Sequence, residues 1–167
     1  GVVAQHHAFD GVARRTGQVF DVGFEELAPG LVIEMLRVAA GADVVHVRSN
    51  ETGVHQLALV KGNDTLFTVQ TEADGSVRPW YAERDTSKEI PAIALMDDDD
   101  ELARLEGKLV LVGYAAAGGL DERVSPLGAL IPGVEAHRQT LEAIFDGALL
   151  FRPDNAKQVE IAVTLVL

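Results

Sequence analysis

The sequence predicts an α/β fold, a mixed β-sheet with flanking helices in a single domain. Three observations lead there. The 167 residues suit one domain, which at that size buries about 70% of its unfolded surface. An apolar content of 47% with 24% charged residues is ordinary globular composition. Finally, Lys108-Leu-Val-Leu-Val-Gly113, a small-residue loop and a helical pattern entered at Ile131-Pro-Gly-Val-Glu135 read as a βα unit. In open α/β sheets, ligands gather outside the carboxyl ends of such strands, so function is sought there first.

The elements follow in order. Residues 1–4 read as the start of a strand and Asp10-Gly11 as a turn. A helix is expected from Glu26, with Pro29 in its first turn and Gly41 as its stop. Leu31, Met35, Leu36, Ala39 and Ala40 would form its apolar face. Residues 44–47, 54–60 and 65–70 are rich in β-branched and apolar side chains and read as strands. Lys61-Gly-Asn-Asp64 joins the last two as a hairpin loop. Ala73-Asp-Gly75 is a further turn, and residues 77–82 resume extended chain, with one core and one surface aromatic in Trp80 and Tyr81. Residues 87–96 carry one proline and no helical period, and read as loop with a short strand. An acidic run at residues 97–101 opens a short helix that holds Leu102 and Leu105 and ends near Gly107. Residues 109–112 are then expected as a buried strand ending at Gly113. The helix after Pro132 carries apolar residues through Ile144 and Phe145 and stops at Gly147. After Arg152-Pro153 the chain turns apolar again. The nine residues from Val159 are too few to cross a bilayer, which takes about 20. Residues 1–153 are thus expected as the domain, and 154–167 as either a packed terminal segment or the start of a following membrane helix.

A formal charge of −12 excludes a nucleic-acid interface, which needs clustered Lys and Arg, and disfavours adhesion to an anionic membrane surface. The absence of cysteine excludes thiol nucleophiles, Cys-ligated zinc and disulfides. Residues 1–7 show no signal peptide, and without an initial Met the chain reads as a piece of a longer protein. The glycine pair Gly118-Gly119 lacks both the Lys-Ser/Thr of a P-loop and the dinucleotide fingerprint, so no cofactor is implied. The acidic run lacks the alternation of a calcium loop. Ser49, Ser76, Ser87 and Ser125 sit in no nucleophile elbow.

The ionisable residues nearest the βα unit are Asp121, Glu135 and His137. They read as a polar ligand site where Asp121 and His137 converge, with the N–H groups of Gly133 and Val134 opening the helix. The local alternative has Asp121 capping the loop, Glu135 favouring the first helical turn and His137 hydrogen-bonded and half buried. A metal-dependent or hydrolase-like α/β enzyme would use the same three residues, but Glu135 and His137, two apart on a helix, point away from one another.

One resemblance draws these motifs together. The stretch Gly107-Lys-Leu-Val-Leu-Val-Gly113, Leu120-Asp121, Ser125-Pro-Leu-Gly128 and Pro132-Gly-Val-Glu-Ala-His137 resembles the C-terminal signature of the type-two CHASE domain, the cyclase- and histidine-kinase-associated sensory extracellular domain. Asp10-Gly-Val-Ala-Arg-Arg15, Asp74-Gly75 and Arg152-Pro153 before an apolar run are similar to further family features. Two departures stand out: Arg138 occupies a position where a small residue is usual, and the family's N-terminal strand-helix-strand unit has no counterpart. The resemblance implies an extracytoplasmic sensor, joined through a membrane helix to a cyclase or kinase output and acting as a homodimer. It implies an unknown small-molecule or protein signal and no catalytic residue. Ser125 and Gly133 belong to the signature and join Asp121, Glu135 and His137 as candidate ligand-binding residues.

Overall fold

The computed structural model describes residues 10–23, 26–97, 99–115, 121–151 and 163–164. At Asp10-Gly11 the expected turn forms: the Asp10 carboxylate accepts from the Val12 N–H and from Arg14, and Gly11 takes φ 74°. The Arg14 hydrogen bond draws the Asp10 carboxyl down to about 2. Strands β1 (Thr16–Gly17), β2 (Val19–Gly23) and β3 (Glu26–Pro29) follow. β2 and β3 pair antiparallel, with Val19 opposite Pro29.

That pairing corrects the expected helix start. Pro29, which has no N–H to donate, closes a strand rather than sitting in a helical first turn. Gly30 stays extended, and helix α1 runs over Leu31–Ala40. Its buried face is Val32, Ile33 and Leu36, while Ala39 and Ala40 are exposed. Alanine has little apolar area to bury, so the helix turns its larger side chains inward. Gly41 ends it as expected, left-handed at φ 63°.

The three middle strands form as the composition requires. β4 (Val44–Asn50), β5 (Gly53–Lys61) and β6 (Asp64–Gln70) make an antiparallel sheet with β5 in the centre. Leu57 lies between Val47 and Val69, and Leu59 between Val45 and Phe67. Leu57 and Leu59 cluster with Val32, Ile33 and Leu36 of α1. Ala58 and Val60 are buried as well, which explains the near-continuous apolar run in β5. Gly75 turns the chain at φ 76° into β7 (Ser76–Val77), which pairs antiparallel with β1.

Beyond β7 the chain is irregular, held by a bridge between Pro79 and Leu149. Tyr81 is buried and Trp80 exposed, the expected division. Residues 87–96 form no strand. A 3-10 turn, Thr86–Lys88, is capped by Asp85, whose carboxylate accepts from the Ser87 N–H, and helix α2 (Ala94–Asp97) starts after Pro91. Helix α3 (Asp99–Ala103) has its acids in the first turn, and the chain turns out to Gly107. β8 (Glu122–Val124) and β9 (Leu130–Pro132) pair antiparallel and feed helix α4 (Gly133–Phe145). Leu141 and Ile144 of α4 complete the main core cluster. Helices and antiparallel strands thus make the α/β domain expected.

The chief correction concerns residues 109–112. They form no strand and are not buried: Val112 is 91% exposed. Residues 109–115 make no hydrogen bond to any described residue. β-branched composition favours extended chain, but a strand exists only where a second backbone supplies partners. Residues 1–4, most of the loop after Ala115 and residues 154–167, for which the sequence set expectations, lie outside the described residues, apart from exposed Val163 and Thr164.

Two substitutions separate core from open edge. Leu59→Ala is expected to destabilise the domain by about 3 kcal/mol, whereas Val112→Ala should change stability by less than about 0.5 kcal/mol. Urea denaturation of both variants checks this; a large loss in Val112→Ala would mean that the run is core.

Candidate functional site

The start of α4 is set by its neighbours. Pro132 is extended, and the Gly133 N–H donates to the Asp121 carbonyl at 2.7 Å. The Asp121 carboxylate lies so close over Gly133 that a Cβ there would overlap it. Only glycine leaves room for this approach with Asp121 where it stands. Asp121 also pairs with Arg123 at 3.0 Å.

His137 lies one turn along α4 from Gly133, on the same face. It is buried, and its Nδ1 has no hydrogen-bond partner among the described residues. Burial holds the imidazole below its ordinary 6.5, against the opposing pull of the Asp121 charge. Ser125 begins the β8–β9 turn, where its N–H donates to the Ala129 carbonyl at 2.8 Å. Its buried hydroxyl also has no partner among the described residues.

Glu135 belongs to a different neighbourhood. It is only 4% exposed, yet its carboxylate is fully engaged. Arg138 Nε donates to it at 2.6 Å and Gln139 Nε2 at 2.6 Å. Gln139 in turn clasps the Ala82 backbone, accepting from its N–H at 3.0 Å and donating to its carbonyl at 3.2 Å. Arg138 Nη1 also donates to Glu142 at 2.6 Å, and Lys88 reaches the same carboxylate at 2.9 Å. The Glu135 and Glu142 carboxylates keep the Arg138 guanidinium firmly charged. The unusual Arg138 is therefore a clamp for Glu135.

The five candidates thus divide: Asp121, Gly133 and His137 share one side of the helix start, Ser125 sits on the adjoining hairpin, and Glu135 joins the Arg138 network. Among the described residues no group of three His, Asp or Glu is placed to hold a metal. Asp121, Glu135 and His137 are accordingly not gathered around one metal position.

A groove of about 1140 Å³ opens beside Glu135, and sequence reasoning did not foresee it. Leu105, Leu109 and Leu111 line one side, and Val134, Leu141 and Phe145 of α4 the other. Gly113 packs directly against Val134, so the open run lies beside the first turn of α4. The ion pairs Arg84–Glu89, Lys88–Glu142 and Arg138–Glu135 contribute its charged residues. Apolar walls with a few fixed polar groups are the usual make-up of ligand sites. The available signal was the i, i+3 and i, i+4 spacing of Glu135, Arg138 and Glu142; the opposite wall depends on tertiary placement.

Two outcomes follow. Glu135→Ala leaves Arg138 and Gln139 short of an acceptor and should destabilise by about 2 kcal/mol, measured by urea denaturation. For His137, the unfolded chain takes up a proton near the ordinary 6.5 while the folded form resists it. Its contribution is therefore intact above about 6.5 and declines as pH falls toward the lower folded value. Thermal melts between about pH 7 and 5 should show this decline in the parent chain and a shallower one in His137→Phe. That window lies above the range where the lowered carboxyls of Glu34 and Glu89 lose their contribution.

A family model of the CHASE2 domain matches residues 1–167. No curated protein and no solved structure matches the chain. With the whole chain matched, and with the motifs at Asp10, Gly107, Ser125 and Pro132 in place, the chain belongs to the CHASE2 family of extracellular sensory domains, found in cyclases and kinases.

Proposed function

We propose that this chain is the extracytoplasmic signal-input domain of a membrane signalling protein whose output is a cyclase, a histidine kinase or a serine/threonine kinase. The family match over residues 1–167 carries the proposal. The domain binds a small-molecule or protein signal and acts as a homodimer. The groove beside α4 supports a place for that signal, because it combines apolar walls with fixed charges. In this scheme Glu135 borders the groove, and Asp121, Ser125, Gly133 and His137 hold the start of the same helix. A signal acts only if it prefers one of two arrangements of the domain. Here it would bias α4, and through residues 146–153 a following membrane helix. Among the described residues no helix is long and apolar enough to cross a membrane, so the proposal assigns anchoring to segments that flank them in the parent protein.

Topology gives the test. In the parent protein, an alkaline phosphatase fusion after Phe151 should be active and a green fluorescent protein fusion at the same point dark. The reverse pattern would place the domain in the cytoplasm and end the proposal.

A further inference from the structure

The side of the β8–β9 ladder that α4 packs on gathers charge around one buried imidazole. The ladder runs one pair beyond the strand ends, with the Gly133 N–H on the Asp121 carbonyl and the Ser125 N–H on the Ala129 carbonyl. Asp121, Arg123 and Ser125 take alternate positions along it and so share a face, while Glu122 falls on the opposite one. Ile131 lies opposite Arg123 and clusters with Ala136, so the shared face is the one turned to α4. His137 follows Ala136 on the helix, buried, with no partner for Nδ1 among the described residues. Two charges act on it there: Asp121 favours a proton on the ring and Arg123 opposes one. The other ionisable groups packed nearby are committed or neutral. β9 brings none, and on α4 itself Glu135 and Arg138 engage each other. Arg14 and Arg15 are held by Asp10, Glu72 and Asp74. Burial pushes the Tyr81 phenol above its ordinary 10.0, so it stays neutral.

We infer that His137 is a proton switch for α4: once charged, it draws the Asp121 carboxylate from Arg123 and loosens the start of the helix. In the arrangement seen here the neutral ring leaves Nδ1 unbonded, which is costly in a buried place. Charging makes both ring nitrogens donors, and Nδ1 then requires an acceptor. Asp121 is the anion on that face. Its carboxylate stands over Gly133, where a Cβ would overlap it, and 3.0 Å from Arg123. Turning it to the imidazolium gives up its seat over Gly133 and its hold on Arg123. Two arrangements therefore differ in their affinity for a proton: burial makes the present one resist it, and one with Asp121 against His137 accepts it. Acid shifts the population toward the second by that difference and no more. As an input signal this rests on the sensor reading above, while the switch itself is a property of the folded domain in any compartment.

The test is a titration of this chain by nuclear magnetic resonance, from about pH 7.5 to about pH 4.5, which spans the range of histidine. The His137 ring should titrate with a midpoint below 6.5, and the amides of residues 121–123 and 133–135 should shift with that same midpoint. His137→Gln should abolish those amide shifts. Asp121→Asn removes the charge that favours the proton, so the ring midpoint should fall further, and Arg123→Gln should raise it. These two variants decide the matter if His137→Gln does not fold. A ring that titrates without moving the amides overturns the switch, as does one that stays neutral until the chain unfolds. Amide shifts that survive in His137→Gln, or an Asp121→Asn midpoint equal to the parent's, overturn it as well. Each of these failures leaves the sensor reading standing, because the topology fusions decide that separately.

Discussion

Leu57 and Leu59 on the central strand β5 are the contact on which the other elements depend. Both are essentially inaccessible and sit at the middle of the β4–β5–β6 sheet. Val32, Ile33 and Leu36 of α1 and Leu141 and Ile144 of α4 belong to the same cluster. Each such side chain contributes about 1.5–3 kcal/mol on full burial, so a handful of them rivals the net stability of a domain. Two helices far apart in sequence are thereby joined to one sheet. The buried Thr16–Thr140 hydrogen bond, 3.1 Å long, adds a polar link between α4 and the N-terminal strands.

With α4 held from that side, its other surfaces are available for different work. The helix start rests on Asp121 over Gly133. The Glu135–Arg138–Gln139 network ties the same turns to Ala82, and the second core cluster of Tyr81, Ile131 and Ala136 lies nearby. A buried carboxylate is tolerable only when its lone pairs are occupied, and here Arg138 and Gln139 occupy them. The surface bearing Val134 is left facing a groove, which Leu141 and Phe145 also border from the edge of the core. A helix fixed at one side and open at the other is suited to respond to whatever fills the groove.

How much of this the sequence discloses depends on the range of the cause. The strands over residues 44–70 are legible because β-branched and apolar residues and the Gly62 turn all act locally. Gly41 and Gly75 are legible because a left-handed turn asks for glycine. Pro29 is ambiguous in isolation: it suits a first helical turn and a strand end equally, and pairing with Val19 decides between them. The failure at residues 109–112 has the same origin. Their composition reports a preference for extended chain, whereas burial requires a neighbour elsewhere. Within the site, Asp121 and His137 were identified as residues but not as the backing of a helix. Arg138 stood out as an oddity, and its role emerged only with Glu135 and Glu142 in view.

The central structural claim is that a sheet-like segment lies open beside α4 while β5 holds the core. Amide hydrogen exchange of the dilute chain, read residue by residue, measures this most directly. Exchange of core amides requires global opening, whereas unbonded amides exchange without it. Leu57 and Leu59 should be strongly protected and residues 109–112 nearly unprotected. Protection of residues 109–112 in the dilute chain at the level of β5 would contradict the account.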